Sequence, residues 1–119
     1  LPVKLFIINN HYMGMVRQWQ ELLHGSRYSE SYSDALPDFI KLAESFHAKG
    51  LRATRLDELD SVIREALEHD GPVVVDLCVA EGENCFPMIP SGAAHNEMIL
   101  GPEQEERGAE VTREGMMLV

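Results

Sequence analysis

Apolar residues fill most of positions 1–8, where Phe6, Ile7 and Ile8 are consecutive. A run without polar alternation predicts a strand covered on both faces. It stops at Asn9-Asn10. Beyond that pair, Met15, Trp19, Leu22 and Leu23 recur at helical spacing ahead of Gly25, which predicts an amphipathic helix ended by that glycine. Residues 26–35 are polar and hydroxyl-rich and read as an exposed connection. A second helix is predicted with Pro37 in its first turn, with Phe39, Leu42, Ala43 and Phe46 on one face, and with Gly50 beyond its end. Residues 51–54 form a short strand candidate. The third helix takes Asp57 and Glu58 into its first turn, where they favour the helix dipole, and carries Leu59, Val62, Ile63, Ala66 and Leu67 as its stripe. Asp70-Gly71-Pro72 ends it, and Val73, Val74 and Val75 lead through Leu77 to Val79 as a β-branched run suited to burial on both faces.

Short strands alternating with amphipathic helices predict an α/β fold, a parallel sheet with flanking helices and right-handed crossovers. Three strands make a narrow sheet with exposed edges, and the first has no partner supplied from upstream, so the sheet reads as incomplete. The texture changes after Ala80. Residues 81–100 contain Pro87, Pro90 and several small residues with no sustained period, which predicts an irregular segment lying over the domain. Residues 101–119, acidic around Glu103, Glu105 and Glu106, read as a loosely ordered tail whose last residues, 116–119, add at most a short contact. The expected organisation is therefore a partial α/β domain over 1–80, a covering segment over 81–100 and a tail over 101–119.

Composition narrows the function classes. A chain of 119 residues with 45% hydrophobic and 25% charged residues fits one small globular core, and no apolar run approaches the length of a spanning helix. Twenty acidic against ten basic side chains leave a net charge of −10, which repels nucleic acid and anionic membranes in the absence of a basic patch. Two cysteines, Cys78 and Cys85, do not make a secreted disulfide scaffold, and no signal peptide is legible, so a reducing, cytoplasmic setting is expected. The absence of an initiating Met and the start inside a strand-like run suggest a fragment.

Candidate chemistry centres on one corner. In open α/β sheets ligands bind beyond the carboxyl ends of the strands, which is where Asn9-Asn10 falls. An asparagine amide oxygen is a hard neutral donor of the kind magnesium takes when it bridges protein to diphosphate, although a plain turn also explains the pair. Gly14 opens a helix able to direct N–H groups at an anion. Met15 and Trp19 lie one turn apart on one face and, on spacing alone, read as core. His11, His24, His47, His69 and His95 show no zinc spacing, the cysteines form no C-x-x-C, and neither a nucleophile elbow nor a P-loop occurs. The residues themselves reach only a small α/β domain with a possible metal–diphosphate corner.

The string Asn9-Asn10-His11-Tyr12-Met13-Gly14-Met15-Val16-Arg17-Gln18-Trp19-Gln20-Glu21-Leu22 resembles the catalytic large subunit of the acetolactate synthase (acetohydroxyacid synthase) family, which uses thiamine diphosphate. The similarity continues through Arg27-Tyr28-Ser29, Pro37-Asp38-Phe39, Gly50-Leu51-Arg52 and Gly71-Pro72-Val73, and resumes at Glu83-Asn84-Cys85-Phe86-Pro87-Met88-Ile89-Pro90. It implies that this chain is the C-terminal portion of a thiamine-diphosphate-binding domain. Asn9-Asn10 then closes a motif whose opening G-D-G is not in these residues.

The resemblance further implies that Asn10 and the main-chain carbonyl of Tyr12 are magnesium ligands, and that Asn10, Gly14 and Met15 serve the cofactor. It also places Met15 and Trp19 along a substrate channel, the reverse of the core reading. Residues 85–99 would fold over the active-site entrance. The implied reaction condenses pyruvate with a second 2-keto acid, pyruvate or 2-ketobutyrate, with loss of CO2, in branched-chain amino-acid biosynthesis. The family's activating glutamate and its FAD-binding middle domain lie outside this sequence, so no catalytic residue is expected within it and the chain alone is expected to be inactive. The family further implies a homo-oligomer, with a regulatory subunit as a possible partner. Two alternatives are another thiamine-diphosphate carboligase or decarboxylase, against which residues 15–19 argue, and a non-catalytic α/β module that binds a protein partner.

Overall fold

The computed structural model describes residues 1–101. They form three strands, β1 (Lys4–Asn9), β2 (Lys49–Ala53) and β3 (Val73–Cys78), and three α-helices, α1 (Gly14–Leu23), α2 (Phe39–Ser45) and α3 (Leu59–Glu68). The expectation for residues 102–119 lies outside the described residues. By its contacts the chain divides into two compact units that alternate along the sequence. One comprises Leu1–His11 and Ser33–Gly82, and the other Tyr12–Tyr32 with the residues from Glu83 on.

The first unit is the sheet with α2 and α3. Its strand order is β1-β3-β2 and both pairings are parallel, as the alternation of strands and helices predicts. The last strand in sequence is therefore the central one. Phe6, Val75 and Leu51 occupy one register row across the three strands. Val73 and Val75, two residues apart and so on one face, pack with Ala66 of α3, and Phe6, Leu51, Val62 and Leu77 border that core. On the other face α2 approaches β2 so closely that a Cβ at Gly50 would stand 2.7 Å from Ile40 Cγ2. Gly50 lies beyond the end of α2, as expected, and is itself a strand residue that admits a helix. Asp38 caps α2 by accepting the Ile40 N–H at 3.1 Å.

Other boundaries shift for local reasons. Asp57 and Glu58 fall in a 3-10 turn (Leu56–Glu58) ahead of α3, because Glu58 folds back to accept from Thr54 and Arg55 instead of opening the α-helix. Of the apolar face expected on α2, Ala43 is buried whereas Leu42 and Phe46 are exposed. Central β3 is covered on both faces, as predicted; β1 is not, with Leu5 and Ile8, on opposite faces, both exposed. β1 has one neighbouring strand among the described residues, so its apolar side chains lack half the lateral cover that β3 receives.

In the second unit α1 ends before Gly25, which takes a φ of +60°, the left-handed conformation expected of a helix-stopping glycine. Residues 83–101 are irregular apart from a 3-10 turn (His95–Glu97) and a bridge in which Met88 and Ile99 exchange both main-chain hydrogen bonds, at 2.9 and 2.8 Å. Ile99 and Pro90 are buried there.

Candidate functional site

The carboxyl end of β1 is anchored through one side chain. Asn9 is buried, and its Nδ2 donates to Asp76 Oδ1 at 2.9 Å. Its Oδ1 accepts the His11 N–H at 3.1 Å, an Asx turn that encloses Asn10. The main-chain carbonyl of Asn9 accepts from the Val79 N–H at 3.0 Å, carrying the ladder one step past β3. His11 then turns the chain with a φ of +61°, and its carbonyl accepts the Ser33 N–H at 2.7 Å. Asn10 therefore sits half-buried at the strand end, where α/β sheets hold their ligands.

Behind this corner lies a chain of ion pairs that the sequence reading did not find. Asp76 is 2% exposed, in the middle of the central strand. Its Oδ2 accepts from Arg52 Nε at 2.9 Å, and Arg52 Nη2 reaches Asp38 Oδ1 at 3.2 Å. The bond to Asp76, foremost, holds the Arg52 guanidinium above its already high range, with the charges of both carboxylates assisting against burial. At Asp38 burial pushes the carboxyl up, but the N–H groups of Ile40 and Lys41 and the charges of Arg52 and Lys41 together leave it below the usual carboxylate range. Burial, and then the Asp76 charge, push the Cys78 thiol up. These groups line a cavity of about 420 Å³ that also reaches His11 and Thr54. The sequence did carry a signal: an aspartate inside a run otherwise fit for burial on both faces needs a paired cation.

Within the second unit, Gly14 and Met15 form the first turn of α1 and Trp19 lies one turn on from Met15. Met13, Met15, Val16 and Trp19 are all about half exposed. The buried face of α1 is made by Gln18 and Leu22, so Met15 and Trp19 are not core in this chain and the spacing-based reading is corrected. Gln18 is the residue that sequence reasoning passed over. Its Nε2 donates to the Cys85 carbonyl at 3.1 Å and to Met88 Sδ, while its Oε1 accepts the Cys85 N–H at 2.6 Å. Tyr12 is half-buried, bridged to Tyr32, with the Arg17 guanidinium 5.3 Å from the ring centres of both Tyr12 and Tyr28. Arg17 also pairs with Glu21 at 2.7 Å. The described residues hold no cluster of three or more His, Cys, Asp or Glu able to take a metal ion. Oxygen donors such as the Asn10 amide and the Tyr12 carbonyl belong to a different class.

Residues 1–77 match the model of the thiamine pyrophosphate enzyme C-terminal TPP binding domain. The chain belongs to the thiamine pyrophosphate enzymes. Within that family it is 46% identical over 107 residues to an acetolactate synthase large subunit of Haemophilus influenzae, covering 89% of this chain and 19% of that protein. To the subunit of Pyropia yezoensis it is 44% identical over 109 residues, covering 91% and 18%. The chain thus spans about a fifth of the length of these curated relatives. A solved thiamine diphosphate-dependent 4-hydroxybenzoylformate decarboxylase of Rhodococcus jostii superposes with a TM-score of 0.58 at 22% identity, over 66% of this chain and 15% of that one. The fold of a thiamine pyrophosphate enzyme is shared across that distance. Among the described residues no helix is long and apolar enough to cross a membrane.

Proposed function

We propose that this chain is the C-terminal part of the cofactor-binding domain of an acetolactate synthase large subunit, which condenses pyruvate with a second 2-keto acid and releases CO2. The observation that carries this reading is 46% identity to such a subunit over 89% of the chain, combined with the placement of Asn9-Asn10 at the carboxyl end of β1. In this reading the amide oxygen of Asn10 and the main-chain carbonyl of Tyr12 hold Mg2+, to which such hard, neutral oxygens are suited. Gly14 and Met15 lie along the cofactor, and Met15 and Trp19 line the substrate channel. Thiamine diphosphate, when bound, supplies the nucleophilic carbon and takes up the electron pair released with CO2.

The part played by this chain's own residues is binding and orientation. Asn10 and Tyr12 fix the metal that neutralises the diphosphate. The half-exposed indole of Trp19 and thioether of Met15 offer an apolar wall to an acceptor's alkyl group. Residues 81–100, within which Gln18 holds the main chain of Cys85, cover the entrance and exclude water in this reading. FAD binds a domain outside these residues. The working enzyme is a cytoplasmic homo-oligomer, open to pairing with a regulatory subunit, and acts in branched-chain amino-acid biosynthesis; the unlinked thiols of Cys78 and Cys85 suit a reducing compartment.

The test is acetolactate formation from pyruvate by a purified full-length large subunit carrying this sequence, with and without thiamine diphosphate and Mg2+. Activity that requires both supports the proposal. Decarboxylation to free aldehyde without acetolactate overturns it in favour of a different thiamine-diphosphate enzyme.

A further inference from the structure

The Asp76 carboxylate has a task that sheet stability alone does not require. It is buried in the central strand, and a buried ion pair is more often neutral or costly than stabilising when compared with apolar residues of the same size. Its two oxygens are divided between two partners: Arg52 Nε on Oδ2 and Asn9 Nδ2 on Oδ1, both at 2.9 Å. With Nδ2 committed to Asp76, the opposite end of the Asn9 amide points its oxygen at the His11 N–H, closing the turn around Asn10. An amide held at one end by a carboxylate cannot flip, because flipping would set its oxygen against Asp76 and its NH2 against the His11 N–H. The orientation of the Asn10 main chain thus depends on a chain of contacts running Arg52, Asp76, Asn9, His11. Arg52 is itself braced on Asp38 at the cap of α2.

We propose that Asp76 is a positioning residue for the magnesium–diphosphate corner: by locking the Asn9 amide it sets the direction in which Asn10 presents its ligand oxygen. This rests on the reading of Asn10 as a magnesium ligand. Removing an outer partner of a metal ligand lowers metal affinity by about 10- to 100-fold, so an effect of that order is expected here. Arg52, half-exposed in its side chain, can turn to solvent when the carboxylate is lost, which leaves Asn9 as the partner chiefly affected.

The test is calorimetric titration of Mg2+ into a cofactor-depleted full-length subunit carrying this sequence, in the presence of thiamine diphosphate, for the parent and for Asp76→Leu, which offers Asn9 no acceptor, Asn9→Ala, their double variant and Asn10→Ala. The Mg2+ dissociation constant should rise about tenfold or more in Asp76→Leu and in Asn9→Ala. The double variant should be no more than about twofold weaker than Asn9→Ala, since Asp76 acts through Asn9. Unchanged binding in Asp76→Leu alongside weakened binding in Asn10→Ala overturns the positioning role and leaves the ligand assignment standing. Unchanged binding in Asn10→Ala overturns both. Independent, additive losses from Asp76→Leu and Asn9→Ala also overturn the proposal, because a purely structural aspartate would act without regard to Asn9. Should Asp76→Leu fail to fold, Asn9→Ala in an Arg52→Gln background reads the same chain of contacts from its other end: additive losses overturn the proposal and non-additive losses support it.

Discussion

The side chain of Gln18 pairs with the main chain of Cys85 on both sides, accepting its N–H at 2.6 Å and donating to its carbonyl at 3.1 Å. A glutamine amide presented in this way imitates the edge of a neighbouring strand. It gives an otherwise irregular segment a fixed partner on a helix, and Gln18, at 2% exposure, brings its own end of these bonds out of water while Cys85 remains exposed.

Replacing Gln18 by Leu keeps most of the volume and removes all three side-chain hydrogen bonds. Two main-chain groups of Cys85 then lose their partner, at a cost of about 1–3 kcal/mol for each that stays buried. Limited proteolysis should cut the segment beginning at Glu83 faster in Gln18→Leu than in the parent. Equal cleavage rates would mean that the segment is held by other contacts.

Trp19 is 47% exposed and borders no core in the described residues, so Trp19→Leu should change the melting temperature little. If its indole selects the acceptor, the same substitution should shift the ratio of products from pyruvate and 2-ketobutyrate in competition. One methylene of discrimination is worth about 1–3 kcal/mol, which makes the shift easily measured. A large fall in melting temperature with an unchanged ratio would return Trp19 to a packing role.

Gly50→Ala places a Cβ 2.7 Å from Ile40 Cγ2 and 2.8 Å from Ile40 Cα, and the second of these is main chain and cannot turn aside. Helix α2 must move off β2, an overpacking that costs about 1–3 kcal/mol. Shortening the neighbour in Gly50→Ala/Ile40→Ala relieves only the side-chain contact. Denaturant melts should therefore find the double variant no more stable than the parent.

Glu58 should carry a pH-dependent lock on the turn before α3. Its carboxylate sits below the ordinary value of 4.5, first because the Thr54 N–H donates to it, with burial opposing and the Arg55 N–H, the Thr54 hydroxyl and the Arg55 charge assisting. A folded-state value below the unfolded one means that the ionised form favours the fold. That contribution is complete above the unfolded value and fades as pH falls through the folded one. Hydrogen exchange at the Thr54 and Arg55 amides should be faster in Glu58→Gln than in the parent at pH 6, and the two should converge as pH falls below 4.5 and through the lowered folded-state value. A difference unchanged once the carboxylate is protonated would assign the protection to something other than its charge.

The 119 residues alone should form no acetolactate from pyruvate. They cover about a fifth of the curated large subunits, and a catalytic constellation missing members does not turn over usefully. Measured acetolactate from the purified chain would refute this.

The elements were legible because their causes are local. A β-branched run at residues 73–75 and a helical stripe ending at Gly25 act over a few residues, and both appear where the pattern put them, whereas Pro37, expected in the first turn of the second helix, stands ahead of the Asp38 cap. The family was legible too, from the string at residues 9–22. Tertiary structure alone decided which face of α1 is buried. Met15, Trp19 and Leu22 share helical spacing equally well, and hydrophobicity favours Trp19, but the main chain at Cys85 needed a donor and an acceptor and took Gln18 inward instead. It likewise decided that the last strand lies between the first two, and so brought Asp76 between Arg52 and Asn9, residues 24 and 67 positions away. An aspartate in a buried run announces by itself that it must be paired. Which cation and which amide pair with it depends on strand order, and strand order follows from how the helices cover the sheet, a property that no short stretch of the sequence contains.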